Sequence, residues 1–212
     1  MPDIAHALDR IRDDVRRRAV ELLHAASSLD RIKAGWSALW PYLEYRDLRV
    51  LPLMLEKCPD LAGRIELWSC LATEFGVVRS ETSRVAELRL LLKRLGVGGR
   101  TDMLQNTVGE VEVPASWAGY EEWSFVEVLG GALHAHYIAS GELFETLAQQ
   151  LAQHGIGSKD PALAYLHRGA DVATQGLDNA RRLADRYITT PADQERWQAQ
   201  VVHHLRSWQV LS

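Results

Sequence analysis

Apolar residues recur along this chain at spacings of three and four, the period of one face of an α-helix. The pattern begins at Ile4 and returns after each turn signal, and no two segments alternate convincingly as paired strands would. The predicted helices cover approximately residues 4–23, 30–45, 47–57, 59–76, 81–95, 115–154, 160–187 and 191–208. This periodicity predicts an all-α fold, a single-domain bundle of about seven helices.

Local signals place several helix ends in the first half of the chain. Asp3 is available to cap the first helix and Ser80 to cap the fifth. Pro41 and Pro52 are expected to bend or break the second and third helices, because proline has no backbone N–H to donate. The glycine-rich run 96–99 follows the fifth helix, which is typical of a helix C-cap.

The second half has fewer but clearer signals. Residues 100–114 show no period, so we expect a long loop with one short helix at most. An interruption is expected near Gly130-Gly131. At 160–161 and 190–191 a capping Asp or Thr is followed by proline, a combination that favours a helix start.

Composition narrows the class of protein. Of the 212 residues, 47% are hydrophobic and 25% charged, so the chain can bury a full core as one domain, 1–212. A net charge of −4 without a basic stripe argues against a nucleic-acid partner. No apolar run approaches the ~18 residues that span a bilayer, and Cys58 and Cys70 are too few for a disulfide scaffold. We expect a cytoplasmic protein with a small-molecule partner and no membrane association, and a homodimer stays open.

The predicted catalytic pair is His167 and Asp171. Residues four apart project from one face of a helix, so the two side chains could share a metal ion or a proton. Asp171 could also accept from one ring nitrogen of His167 and so fix its tautomer. The alternative is an ordinary hydrogen-bonded pair at the surface.

Two further histidines, His134 and His136, alternate in an apolar, small-residue segment. Residues two apart point about 200° away from each other on a helix, so at most one of them is expected to face the interior. We take His136 as the site candidate and expect it to approach His167 in the core.

Acidic candidates lie near the end of the predicted helix 59–76. Glu74 ends this helix and is either a solvent-edge carboxylate or a ligand. The inward face of the helix is expected to include Ile65, Trp68, Leu67 and Leu71. Glu81 is the first residue of the next predicted helix, where the helix dipole favours negative charge. His24, on the first helix, is a weaker ligand candidate.

Four segments, taken in order, resemble the heme-oxygenase-like fold, the family of seven-helix proteins that also contains the thiaminase II and PqqC-type enzymes. They are residues 39–76 (LWPY through ELWSCLATEFG), 80–97, the LGGAL of 129–133, and the YLH of 165–167 with Asp171. The resemblance covers about residues 35–187, between an N-terminal helix region (1–34) and a C-terminal helix (190–209). It is closest to the iron-dependent oxidase and oxygenase branch.

That resemblance implies Fe(II) as the cofactor, because in this branch two irons lie among Glu and His side chains, activate O₂ and oxidise small substrates. The implied metal ligands are Glu74, Glu81, His136, His167 and Asp171. Glu81 stands where the family has a histidine, and the central glutamate falls near His136 or Tyr137. Thr174 stands in place of the final histidine. The resemblance therefore leaves open two irons in an atypical site, one metal, or none.

The expected function is that of a small-molecule biosynthetic enzyme, as a non-heme iron oxidase or oxygenase. One alternative is a metal-free thiaminase II/PqqC-like enzyme that performs acid/base chemistry in a helical pocket. Another is a non-catalytic helical binding protein. Metal content separates the first from the other two, and turnover separates the second from the third.

Overall fold

The computed structural model describes residues 3–24, 28–74, 84–97 and 113–208 of the chain. Within these ranges the regular elements are helical, and none is a strand. The all-α prediction is therefore confirmed. No helix in this described part is both long and apolar enough to cross a membrane. Ser80 and all but the last two residues of the predicted loop 100–114 lie outside it.

Nine α-helical segments make up most of the described chain, and two π-helical segments connect four of them. The segments are α1 (Ile4–His24), α2 (Leu29–Tyr45), α3 (Leu51–Lys57), α4 (Leu61–Glu74), α5 (Arg84–Leu95), α6 (Phe125–Val128), α7 (Ala135–Gln153), α8 (Ala164–Tyr187) and α9 (Pro191–Ser207). A π segment at Arg46–Val50 joins α2 to α3, and a second at Leu129–His134 joins α6 to α7. Nine segments with two such joints make seven continuous rods, which confirms the expected number.

The two prolines do not end the rod that contains them. Pro41 lies inside α2 and Pro52 in the first turn of α3. Between them, the Leu51 N–H bonds to the Arg46 carbonyl five residues back, as a π turn requires. The predicted second and third helices therefore form one continuous rod, because the wider π turn before Pro52 lets the helix continue through this proline.

Acidic side chains cap two helix starts, of which the sequence predicts the first. Asp3 Oδ1 accepts from the His6 N–H at 3.0 Å and caps α1, as expected. Asp60 Oδ1 accepts from the Gly63 N–H at 2.8 Å, so Asp60 caps α4 and the helix begins at Leu61, two residues later than predicted, with Pro59 outside it. Each cap satisfies one of the N–H groups that a helix start leaves unpaired.

The glycine after α5 ends that helix in a left-handed conformation. Gly96 has φ +68°, and its N–H bonds to the Lys93 carbonyl at 3.1 Å. The Val97 N–H bonds to the Leu92 carbonyl at 2.9 Å. These two bonds form a Schellman motif, which confirms the predicted C-cap.

Capping by Asp160 and Thr190 also agrees with the prediction. Asp160 Oδ1 accepts from the Ala162 N–H at 2.9 Å, and a single 3-10 turn leads into α8. Thr190 and Asp193 form a reciprocal capping box at the start of α9. Both helices begin where the Asp-Pro and Thr-Pro pairs place them.

Helix α7 forms the centre of the bundle, and α8, α1 and α9 pack around it. Two glycines of α8 allow the closest approach: Gly169 faces the ring of Phe144, and Gly176 faces the ring of Tyr137. A Cβ atom at Gly176 would lie 2.5 Å from the Tyr137 ring. Close backbone approach in the α7–α8 pair therefore depends on glycine.

The predicted inward face of α4 is confirmed for Leu67 and Leu71 and is wrong for Ile65 and Trp68. Ile65 and Trp68 point outward, with 63% and 52% of their surface exposed, while Leu67 and Leu71 are buried. Helix α4 carries apolar residues on two faces, and packing against α8 and α3 selects the face of Leu67 and Leu71. Periodicity alone does not identify which of two apolar faces is inward.

We predict that Gly176→Ala destabilises the protein and that Gly141→Ala does not. Both glycines lie inside helices, where alanine is intrinsically favoured by about 1 kcal/mol. At Gly176 the added methyl meets the Tyr137 ring, so an overpacking cost of up to about 3 kcal/mol should outweigh this gain. At Gly141 the new Cβ would make an ordinary contact with Ala173 at 3.5 Å. Urea unfolding of both variants measures the difference, and equal shifts in midpoint would contradict close α7–α8 packing.

Candidate functional site

The two π segments meet inside the bundle through one hydrogen bond. Arg46 is the first residue of one segment, and its Nε donates to the carbonyl of Ala132 in the other at 2.8 Å. The Arg46 side chain is 1% exposed, and its Nη1 donates to Asp47 Oδ1 at 2.5 Å. π turns are rare and occur frequently at functional sites, so this meeting point is the first candidate.

Three large side chains surround that contact. A helical carbonyl points along the helix axis toward the residue about four positions later in the chain. The Arg46 guanidinium, which bonds to the Ala132 carbonyl, therefore lies at the same height along the helix axis as His136. The Trp208 ring lies 5.5 Å from the His136 ring and 6.4 Å from the Tyr42 ring, measured between centroids. All three are buried. We call this cluster the π junction: Arg46, Ala132, His136, Tyr42 and Trp208.

His136 is a neutral imidazole in this environment. Burial lowers its pKa well below the usual range, and the positive charges of Arg46 and Arg84 lower it further. Its ring therefore carries no charge at neutral pH and is able to accept a proton. Strongly shifted pKa values cluster at functional sites, which makes His136 a candidate.

Tyr42 has the opposite property. Burial raises the pKa of its phenol, and this outweighs the lowering effects of Arg46 and of the Trp208 indole. The hydroxyl therefore keeps its proton at every physiological pH and serves as a permanent donor. The π junction thus combines a neutral base, a neutral acid and a fixed cation.

His134 points to the other side of the same rod, toward α9. The Trp197 Nε1–H lies 3.3 Å from His134 Nδ1, and the Leu129 carbonyl lies 3.2 Å from the same nitrogen. Nδ1 accepts from Trp197 in one tautomer or donates to Leu129 in the other, but not both. Burial lowers the pKa of His134 to about 4.

His204 on α9 completes the contact between α9 and the second π segment. Its ring occupies the place of a side chain at Gly131, where a Cβ would lie 2.4 Å from the ring. The other side of the ring packs on Trp117 with centroids 4.0 Å apart. Burial lowers the pKa of His204 to about 3. Neither ring nitrogen finds a hydrogen-bond partner among the described residues.

The expectation that at most one of His134 and His136 is buried is wrong, because both are. The two rings do point in different directions, as the helical period requires. However, the rod that carries them is covered on both sides, by α9 next to His134 and by α2 and Trp208 next to His136. A helix in the middle of a bundle has no solvent side on which to place the second ring.

The predicted pair His167 and Asp171 lies on the outer side of α8. Asp171 is exposed, and the His167 side chain is 40% exposed with its Nδ1 3.4 Å from Glu145 Oε2. Glu145 follows His136 by nine residues on one rod, which places it about 13 Å along the axis and about half a turn away. The expected meeting of His136 and His167 in the core is therefore wrong.

The ligand set implied by the resemblance is not assembled by the described residues. His136 is in the core while His167 and Asp171 are on the outer side of α8. The side chain of Glu74 and the whole of Glu81 lie outside the described part, as does the side chain of His24. Within that part, no three His, Cys, Asp or Glu side chains are close enough to hold a metal ion. The three described members therefore do not fit a shared iron site.

Sequence reasoning missed Arg46, Tyr42 and Trp208 as site residues. One signal was present: the adjacent charges of Arg46 and Asp47 interrupt an apolar helical pattern beside Tyr42. A charged pair in such a position is either at the surface or a buried pair with a specific partner. Nothing local indicates that the partner is Ala132, 86 residues later.

Comparison with known proteins adds no relative from which a function could be transferred. A scan against protein-family models finds no match, and no curated protein matches the chain. The heme-oxygenase-like resemblance therefore stays a prediction, and the functional argument depends on the geometry of the π junction.

We predict that stability falls as the pH decreases from 7.5 to 5.5. His134, His136 and His204 have pKa values lowered below 6.5 by burial, so the unfolded chain binds more protons than the native state at mildly acid pH. Each contributes up to about 1.4 kcal/mol per pH unit, lost progressively as the pH falls below about 6.5. Urea unfolding at the two pH values measures the loss.

Two variants identify the source of that pH dependence. His204→Phe keeps an aromatic ring on Trp117 and should reduce the slope by about a third, since it removes one of three similar contributions. His6→Gln changes an exposed residue of α1 and serves as the control. Identical urea midpoints for the wild-type protein at both pH values would show that the three histidines are not buried neutral.

Proposed function

We propose that this protein is a small-molecule enzyme that performs acid/base chemistry at the π junction, with His136 as the general base. The observation that carries the proposal is the position of a buried neutral imidazole beside the buried guanidinium of Arg46. Because its pKa lies well below the usual range, His136 is unprotonated over the whole physiological range and is available to accept a proton.

Arg46 supplies the electrostatic part of this chemistry. When His136 removes a proton from a bound molecule, negative charge develops on that molecule. The Arg46 guanidinium is ion-paired with Asp47, so it stabilises such charge less than a lone cation would, but it is already fixed in a water-poor interior and does not have to reorganise. The hydrogen bonds of Arg46 to Ala132 and Asp47 hold the guanidinium in place before the reaction.

Tyr42 acts as a neutral acid by donating a hydrogen bond. Its hydroxyl keeps its proton, so it is able to bond to an oxygen or nitrogen of the bound molecule on which charge develops. His136 would take a proton from one atom of that molecule, and the imidazolium formed would return it to another atom, so that both protein groups end as they began. A proton-transfer reaction such as an isomerisation or an elimination uses both groups.

The iron-dependent oxidase or oxygenase reaction stays a prediction from the resemblance. It depends on Glu74 and Glu81, whose side chains lie outside the described part, and on His167 and Asp171 at the outer side of α8. Anaerobic loading with Fe(II) followed by elemental analysis tests it. One or two irons per chain, lost in His167→Ala, would favour the oxygenase over the acid/base enzyme.

We predict that the wild-type protein accelerates the base-catalysed ring opening of a nitrobenzisoxazole and that His136→Gln removes the acceleration. This planar probe reports a general base directly, because its single step is the loss of one C–H proton. Positioned bases contribute about 10²–10⁴-fold, so the loss should exceed about tenfold. His134→Gln, a change to the other buried histidine of the same rod, serves as the control and should leave most of the rate.

The pH profile provides an independent check. Because the pKa of His136 is far below neutrality, the rate should be flat from pH 8 to 6, whereas an exposed histidine would lose activity below about pH 6.5. A rate equal to that of buffer alone, with the protein folded, would instead favour the non-catalytic binding protein. An equal loss in both histidine variants would also contradict the assigned role of His136.

A further inference from the structure

Trp208 fills the centre of the π junction. It directly follows α9, it is 2% exposed, and its ring contacts three residues of other helices. Its centroid lies 5.5 Å from that of His136, 5.8 Å from that of Phe144 and 6.4 Å from that of Tyr42. The indole therefore occupies the space beside the proposed base and the proposed acid.

The backbone holds Trp208 less firmly than it holds the rest of α9. Its N–H bonds to the carbonyls of Arg206 and Leu205 as the helix C-cap. Its own carbonyl, like the last carbonyls of any helix, has no partner within the helix. One turn earlier, His204 is fixed between Gly131 and Trp117. Unwinding of the last turn of α9, after His204, would move the indole out while the rest of the helix stays in place.

The side chains that surround the Trp208 indole determine which kind of molecule could take its place. Phe144 and His136 present ring faces and edges at typical aromatic separations. Tyr42 and Arg46 add polar groups on one side, and the Trp208 indole is close enough to Tyr42 to lower the pKa of its hydroxyl. A flat apolar space with a polar group at one edge is suited to a planar ring that carries an N–H or O–H group.

We infer that the space filled by the Trp208 indole is the substrate-binding position, and that the substrate is a planar aromatic molecule of about indole's size with an N–H or O–H group. This inference depends on the proposed function, since it gives the His136 site its substrate class. Trp208 occupies the position in the free protein and leaves it when the substrate binds.

Indole itself is the probe, and proton–nitrogen correlation spectra of the wild-type protein are the primary measurement. The indole N–H signal of Trp208 is assigned from its absence in Trp208→Phe. We expect this signal and the ring signals of His136 to shift together and to saturate as indole is added, with the Trp208 signal moving toward that of a solvent-exposed tryptophan. Unchanged signals up to the solubility limit of indole would overturn the inference.

A pair of cavity variants provides the second measurement. Trp208→Ala removes the competing side chain, so indole should bind it at least about tenfold more tightly than the wild-type protein. Trp197→Ala is the matched control, because Trp197 is also a fully buried tryptophan of α9 but lies against His134. Equal tightening in both variants would show that any buried tryptophan leaves an indole-sized cavity, and would overturn the inference.

The binding experiments and the catalytic assay test the aromatic binding site and the acid/base proposal separately. Indole binding at Trp208 together with an inactive His136 in the ring-opening assay would remove the acid/base proposal and retain an aromatic binding site. An active His136 without any response of Trp208 would retain the acid/base proposal and remove the aromatic substrate class.

Discussion

The candidate site depends on the hydrogen bond between the Arg46 guanidinium and the Ala132 carbonyl. This bond joins the two rods that contain π segments, at the level where both segments occur. A guanidinium in the interior is costly unless its donors are used, and here it bonds to Ala132 and Asp47. The same bond fixes a positive charge next to His136. One interaction therefore sets the register of two rods and the electrostatics of the candidate site.

Much of the helical organisation could be predicted because helix ends are encoded locally. Asp160, Thr190 and Gly96 each act within three or four residues, through capping bonds that depend on residue type. Which face of a helix is buried depends instead on the neighbouring helices. For this reason the prediction was wrong for Ile65 and for the two buried histidines, although all three lie in helices that the sequence predicts. The rod that carries the histidines begins at Phe125 and not at residue 115.

The candidate site was harder to predict than the fold, for a physical reason. His167 and Asp171 were predicted because their four-residue spacing can be read directly from the sequence. The packing of α8 places both side chains on its outer side. The π junction has no such spacing, since Arg46, Ala132 and Trp208 are far apart in sequence and meet only after three rods have packed. A site of this kind is recognised from burial and charge in three dimensions.

Each π segment also affects how the chain tolerates insertions and deletions. A π turn accommodates one more residue than the α-helical turn it replaces. Deleting one residue from Leu129–His134 would therefore convert the π turn into a regular α turn and leave the residues before it in nearly the same orientation relative to α7. Deleting one residue from α7 itself would instead rotate everything before the deletion by about 100°, and Phe125–Val128 would then present a different side to α9. The π segment is thus the place in this rod where a one-residue change of length acts on local structure and not on orientation.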